Sequence, residues 1–572
     1  MFTQLICSGE FFTGTLWAFV PAVIAIILAL ITKQVYLSLF AGIFTAAMFL
    51  ADGNPVQAIS NAFISMANAI GGNGCILIFL VILGIFSVLM IKTGGSKAYG
   101  EWASTKIKSQ KGAQLSTLAF GCLIFVDDYF NCLTVGNVMR PVTDKHKISR
   151  AKLAYLIDST AAPVCIIAPI SSWAAAVAGY ASDADGIMTF VKTIPFNLYA
   201  LLTLAMMIVF ICLKLDIFKM KRNQKAAEKG DLFAGETELP AEDYQGKTVE
   251  KGKIINLLFP IITLIVCCIG SMIYNGYFYN WDTGMLGTEI QSDSVLHAFS
   301  NCDAGSSLAL GSAVALIITF IFYIVTKTIS FKECMNTIVD GFKSMVPAIL
   351  ILTFAWTLSA LMGAKGEGLN EFGQIVYDGT LNAKAYIQST VSADSMALGI
   401  IPFVFFILAC FISFSTGTSW GTFGVLIPIS IAVMSEANPG LFYLTMSAVL
   451  AGSVYGDHVS PISDTTIMAS SGAQCNHVDH VRTQLPYASI VAIISALAYL
   501  ASGFIAQKVT NYGAMAGITL AIGFALLAVL IVVLYFLNKK GILDKMEEKF
   551  TKAFSKKKAV QVEEQTEEDN IE

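Results

Sequence analysis

The stretch Phe125-Val126-Asp127-Asp128-Tyr129-Phe130-Asn131 decides how this chain is read. It sets two adjacent carboxylates and a carboxamide at the end of the apolar run 113–126. A carboxylate at the centre of a bilayer costs roughly 2.5–3.5 kcal/mol on insertion scales, so structure alone gives no reason for two side by side. Ionisable groups at that depth mark the route of an ion or a proton. The run before them gives about 21 Å of helix, short of a hydrocarbon core of about 30 Å. After the pair, a second short apolar run ends at Arg140-Pro141, before Lys145, His146, Lys147, Arg150 and Lys152. Both ends of the segment are basic, so both are expected on one side, as a re-entrant hairpin with its tip at the midplane.

The next helix, from Ala151, is expected to break at Asp158-Ser159-Thr160-Ala161-Ala162-Pro163 and to resume through Pro169 to about Gly179. A second set of elements follows the same plan. The run from Leu398 to Ser413 leads to the tip Ser415-Thr416-Gly417-Thr418-Ser419-Trp420-Gly421. The chain returns to about Glu436–Gly440, and a helix from Leu441 is expected to break at Gly456-Asp457-His458-Val459-Ser460-Pro461-Ile462-Ser463. Three spans precede each hairpin, and Leu89-Met90 with Gly94-Gly95 recurs as Leu361-Met362 with Gly366 and Gly368.

Composition agrees. Of 572 residues, 55% are hydrophobic and 13% charged, where a soluble chain carries about 25% charged residues. Mean hydropathy is +0.68. The net charge of -4 is small, and no basic run interleaved with aromatics suggests nucleic acid. Twelve cysteines without a C-x-x-C pattern read as small apolar residues. No cofactor motif stands out; the ions themselves are the cargo. His477 and His480 are spaced like ligands but read as part of a solvated polar loop.

Spans are expected near 15–32, 35–51, 74–91, 194–213, 254–275, 307–326, 344–362, 484–506 and 514–537. Lys219, Lys221, Arg222, Lys225, Lys229, Lys247, Lys251 and Lys253 put the central loop inside, and Lys539, Lys540, Lys545, Lys549 and Lys552 do the same for the C-terminus. The N-terminus is then outside. The fold class is an all-α polytopic membrane protein: an inverted-topology repeat with two re-entrant hairpins and two broken transmembrane helices. The expected units are a first repeat at 1–215, a cytoplasmic linker at 216–253, a second repeat at 254–506, an extra span at 507–537 and a charged tail at 538–572.

The four tips supply oxygen donors: Asp127, Asp128, Asn131, Asp158, Ser159, Thr160, Thr416, Thr418, Ser419, Asp457, Ser460, Ser463 and Asp464. Such donors suit a hard cation. No Lys or Arg falls at the expected midplane, which favours a cation over an organic anion. Adjacent carboxylates in low dielectric repel, so at least one pKa of the Asp127/Asp128 pair is expected to rise toward neutrality, and the pair to titrate as a unit. A group that binds either H⁺ or Na⁺ makes exchange a competition at one site. His458 is placed to relay a proton or sense pH. Asp127, Asp128 and Asp457 are the expected Na⁺ ligands. Structural uses stay open beside these: Asp127, Asp158 and Asp464 are favoured N-caps, and the hydroxyls can satisfy broken backbone.

At these residues the chain resembles the NhaC-type Na⁺/H⁺ antiporter family of the ion-transporter superfamily. The matching stretches are 125–131, 158–163, Gly417-Thr418-Ser419-Trp420-Gly421-Thr422 and Tyr455-Gly456-Asp457-His458-Val459-Ser460-Pro461-Ile462-Ser463-Asp464-Thr465. The resemblance implies a secondary transporter, not an enzyme, that exchanges Na⁺ for H⁺ across the cytoplasmic (inner) membrane of a prokaryote. It also implies a homodimer in which a transport domain moves against a scaffold. Some relatives exchange organic acids or amino acids, so a Na⁺- or H⁺-coupled antiporter of such a metabolite is the alternative. A remote alternative is an intramembrane aspartyl protease with Asp127 and Asp457 as its dyad.

Overall fold

The computed structural model describes residues 12–32, 34–125, 127–178, 186–235, 252–280, 285–292, 302–362, 380–382, 396–434, 439–461, 463–509 and 511–543, with isolated positions besides. Main-chain polar groups cannot stay unpaired in lipid, so the apolar runs close their hydrogen bonds within helices. The first half holds α1 (Val20–Thr32), α2 (Val35–Leu50), α3 (Pro55–Gly72), α4 (Gly74–Lys92), α5 (Gly95–Lys106), α6 (Gln110–Leu123), α7 (Asp128–Lys145), α8 (Arg150–Cys165), α9 (Ser172–Ala178), α10 (Gly186–Thr193) and α11 (Leu198–Leu213). After α12 (Phe218–Glu228) come α13 (Ile255–Phe278), α14 (Ala304–Val325), α15 (Phe331–Met362), α16 (Ile401–Thr416), α17 (Ser419–Met434), α18 (Pro439–Val459), α19 (Asp464–Ala473), α20 (His477–Ala506) and α21 (Tyr512–Lys539). A small antiparallel ladder, β1 (Tyr279–Asn280) with β2 (Met285–Leu286), follows α13.

Among the described residues, six helices are long and apolar enough to cross a bilayer alone, and three bent pairs raise the number to nine. The order hairpin then broken helix occurs twice: α6–α7 before α8–α9, and α16–α17 before α18–α19. With its leading turn, the stretch Leu398–Thr416 has 19 residues, enough to span by itself, whereas α6 has 14. One group of helices packs α4 on α14 and α15, α15 on α2, and α13 on α14. The other gathers α6, α7, α8, α16, α18, α19 and α20, with α11 against α8 and α21 against α20. The two meet where α15 lies on α17 and α5 on α7.

Several sequence expectations are corrected. The first helix break does not fall at 158–163. Pro163 lacks an N–H and leaves only one carbonyl without its helical donor, so α8 runs on to Cys165. The chain unwinds over 166–171 instead, next to Pro169. There Ser171 Oγ lies 2.8 Å from the Cys165 carbonyl and 3.1 Å from that of Ala168, and accepts the Ala174 N–H at 3.1 Å. The second break is shorter than expected: Gly456 to Val459 complete α18, and only 460–463 unwind. Helix α3 was not foreseen, although Asn54 caps it by accepting from the Val56 and Gln57 N–H groups and Pro55 opens it. It folds back on α2 with a bend of 119°.

The 216–253 stretch is not just a linker. Helix α12 buries Met220, Asn223, Gln224 and Ala227, and Lys152 pairs with Asp216 at 2.7 Å. The Gly366/Gly368 half of the lead-in repeat, Glu436 and nearly all of the 538–572 tail lie outside the described residues.

α7 and α19 cross at glycine. A Cβ on Gly136 would stand 2.5 Å from the Gly472 carbonyl carbon. Gly136→Leu is therefore expected to part the two helices. Overpacking costs roughly 1–3 kcal/mol, read as a lower unfolding midpoint in detergent. An unchanged midpoint would contradict this packing.

Candidate functional site

α6 ends at Leu123 and α7 begins at Asp128, so Asp127 and Asp128 sit at the hairpin tip, 1% and 0% exposed. Asn131, one turn into α7, holds the tip together. Its Nδ2 lies 2.7 Å from the Gly121 carbonyl, 2.8 Å from that of Ile124 and 3.0 Å from that of Thr160 on α8. One amide thus ties together the end of α6, the tip and α8; the Gly121 carbonyl also accepts the Ile124 N–H, and the Thr160 carbonyl lies within helical α8. Asn131 Oδ1 and both Asp128 carboxylate oxygens are buried without a hydrogen-bond partner. Orphaned acceptors of this kind are uncommon and call for an explanation such as an ion. The Trp173 indole of α9 lies beside Asp128, outside hydrogen-bond geometry. It packs with Trp420 and Phe423 of α17 at ring separations of 5.3–5.8 Å.

At the second tip the chain turns through Gly417, whose φ of 68° favours glycine. Ser419 then opens α17. Its Oγ lies 2.8 Å from Asp457 Oδ2 and 3.1 Å from the Ser453 carbonyl. Asp457, in the last turn of α18, is therefore tied to the tip of the second hairpin. The two tips converge on Cys132, which lies within electrostatic reach of Asp127, Asp128, Asp158 and Asp457 and donates to the Thr465 carbonyl at 3.6 Å.

Asp158 forms a separate node in mid-α8. Its Oδ2 accepts from Gln484 Nε2 at 2.6 Å and Thr466 Oγ1 at 3.1 Å, and faces His480 Nε2 at 3.3 Å. His458 Nε2 reaches the Asp158 carbonyl oxygen at 2.9 Å, and its Nδ1 meets Tyr199 Oη at 3.1 Å. Gln484 Nε2 also reaches the His458 carbonyl at 2.6 Å, and Thr466 Oγ1 the Asp457 carbonyl at 3.4 Å. Five helices (α8, α11, α18, α19 and α20) are fastened at one buried acid.

The hydroxyls divide. Ser419 belongs to the Asp457 contact. Ser159 is buried in α8. Thr160 Oγ1 donates to the Leu156 carbonyl, and Thr416 Oγ1 to that of Ile412. The Thr418 carbonyl accepts from Thr422. Ser460 Oγ donates to the Phe414 carbonyl, and Ser463 caps α19 through the Thr466 N–H. Asp464 heads α19; its side chain lies outside the described residues. Among the described residues, no three His, Cys, Asp or Glu side chains form a metal-binding group.

His480 lies in a helix, not in a solvated loop. It is fully buried in the second turn of α20. The spacing His477, His480, Gln484 is the one-face pattern of a helix and was the available signal. Trp173, Thr466 and Tyr199 carried no comparable mark.

The model of the Na⁺/H⁺ antiporter family matches residues 174–504, more than half of the chain. The chain belongs to this family. It is 38% identical over 544 residues to an uncharacterised protein of Haemophilus influenzae, covering 92% of this chain and 96% of that one. A malate-2H⁺/Na⁺-lactate antiporter of Bacillus subtilis is 31% identical over 178 residues, 31% of this chain and 34% of that one. An arginine/ornithine antiporter of Halobacterium salinarum is 39% identical over 113 residues, 18% of this chain and 22% of that one. Family membership and the apolar helices make this antiporter-family chain a multi-pass membrane protein and a secondary transporter.

Proposed function

We propose that the chain exchanges Na⁺ for H⁺ across the cytoplasmic membrane of a prokaryote. The observation that carries this reading is the set of buried oxygens at the first tip, Asp128 Oδ1 and Oδ2 and Asn131 Oδ1, without hydrogen-bond partners. Dehydrated Na⁺ needs such acceptors, and a negative pair attracts it. Asp457 supplies a carboxylate from α18, tied by Ser419 to the tip of the other hairpin. Basic residues put both ends of the first hairpin inside, the repeated order of elements brings the second in from the opposite face, and the basic residues after α21 put the C-terminus inside.

A second reading, Na⁺- or H⁺-coupled antiport of a small organic acid or amino acid, is supported by the two relatives named for such exchange. Against an organic anion stands the charge balance. The buried Lys and Arg side chains among the described residues are Lys152 and Arg150, each already paired, with Asp216 and Asp144. Everted vesicles separate the readings. Added Na⁺ is expected to collapse an imposed pH gradient without any metabolite. If only malate, lactate, arginine or ornithine did so, the metabolite reading would replace ours. Ser419→Ala removes the hydroxyl donor to Asp457, leaving the Ser419 N–H at 3.4 Å, and is expected to raise the Na⁺ concentration for half-maximal effect about tenfold or more, since a hydrogen bond to a charged group contributes about 1.5–3 kcal/mol.

A further inference from the structure

We propose that the proton and the cation occupy separate buried loci. The cation lies at the hairpin tips, around Asp127, Asp128, Asp457 and Ser419. The proton is held by the Asp158–His480 pair. This rests on the exchange reading above and moves the proton away from the Asp127/Asp128 pair, where competition at one site would put it.

The geometry separates the two loci. Oδ2 of Asp158 accepts from Gln484 and Thr466 and faces His480, while Oδ1, without a hydrogen bond, lies 3.8 Å from His458 Nε2, so both oxygens face imidazole. The oxygens of Asp128 have no such donors. A carboxylate facing a buried imidazole is neutral overall when the imidazole carries a proton, and bears an unbalanced charge when it does not. The pair therefore takes up or releases a proton in response to charge placed nearby. His480 Nδ1, buried without a hydrogen-bond partner, leaves the ring free of a second tether. The link to the cation locus is short. Thr466 Oγ1 lies between Asp158 Oδ2 and the Asp457 carbonyl, and Cys132 lies within electrostatic reach of Asp158 and of the tip carboxylates together. A cation arriving at the tips makes imidazolium at the node less favourable, so the proton leaves. Reciprocity then requires that a proton at the node weaken cation binding.

Among the described residues, the titratable groups at this node include His458 on α18, 3.8 Å from Asp158 Oδ1, Tyr199 on α11 bonded to His458, and Cys132 on α7; Asp457 adjoins His458, and His477 and Asp479 lie within one turn of His480 along α20. Asp479 is already paired with Lys219 at 2.5 Å and with Asn223 at 2.6 Å. His477 lies one helical turn from His480, half-buried, with its ring nitrogens on Ser470 Oγ and the Pro461 carbonyl.

The test uses the purified full-length protein in detergent. Binding of radioactive Na⁺ is measured between pH 6 and 9, and proton release on Na⁺ addition is followed with a dye in weak buffer. Wild type is expected to release about one proton per Na⁺ bound and to bind Na⁺ up to about tenfold more weakly per unit fall in pH. His480→Gln keeps a donor toward Asp158 but cannot hold the proton. It is expected to bind Na⁺ at high pH as wild type does, to lose most of the proton release, and to vary less than about twofold per pH unit. Should His480→Gln fail to fold, Asp158→Asn carries the same comparison. Wild-type proton release in these variants, with release lost instead in Asp127→Asn, would restore competition at one site and overturn the proposal. Loss of Na⁺ binding by folded Asp158→Asn and His480→Gln would place the cation at the node and overturn it as well. Wild-type protein that binds no Na⁺ at any pH would overturn the exchange reading itself, and this inference with it.

Discussion

Asp128→Asn is expected to reduce Na⁺-driven proton movement by about 100-fold or more while leaving the protein as stable as before, or more so. A hundredfold loss corresponds to about 2.8 kcal/mol, within reach of one charged ligand bond of about 1.5–3 kcal/mol plus the lost attraction of a full charge. The stability side follows from the same oxygens. Neither oxygen of Asp128 has a hydrogen bond to lose, and the side chain is 0% exposed. An amide of the same shape relieves the burial of charge beside Asp127. A merely structural aspartate would behave the other way, with the unfolding midpoint falling and transport following it. Paired measurements of vesicle exchange and of the unfolding midpoint in detergent decide between them.

Asn131→Ala is expected to act in the opposite sense, through the fold. Its Nδ2 lies 2.7–3.0 Å from three main-chain carbonyls, on α6, at the tip and on α8. Without it the Ile124 carbonyl is stranded in a dry interior, at about 1–3 kcal/mol, and the bridge from α6 to α8 is lost. A loss of that size is a large part of a folded protein's margin. The variant should express poorly, unfold well below wild type and lose transport along with its folded fraction. Asn131→Asp removes the same donor and should fail similarly. A folded and stable Asn131→Ala protein would show that the tip is held by something other than this amide.

The two expectations explain why sequence reading reached one part of this site and not another. Carboxylates in apolar sequence are costly anywhere in a bilayer, so Asp127, Asp128, Asp158 and Asp457 stood out from composition alone. The first hairpin is visible because a short apolar run flanked by basic residues cannot be an ordinary crossing, and the second because the order of elements repeats. Helix breaks were less legible. Pro163 suggested an end to α8, yet a proline removes one hydrogen bond and the helix survives it when the neighbouring turns are packed. The real break needed Ser171 to satisfy the freed carbonyls, a contact between residues six apart that no spacing rule marks. His480 was lost for another reason. Polar residues around 474–484 look like a loop by composition, but Asn476 caps α20 through the Asp479 N–H and starts the helix early. The helix then carries His480 and Gln484 inward to Asp158, more than 300 residues away in sequence. Tertiary contacts of that kind leave no local trace.

The account depends on buried carboxylates at the first hairpin tip, with Asp457 tied to the second, carrying a cation against a proton. Purified protein in liposomes loaded with Na⁺ and diluted into Na⁺-free buffer of equal pH tests it most directly. Na⁺ leaving down its gradient should draw protons in, so a trapped dye should report acidification in wild-type vesicles and almost none in the Asp127→Asn/Asp128→Asn double variant. Acidification of equal rate in the two, or none in wild type, would contradict the account.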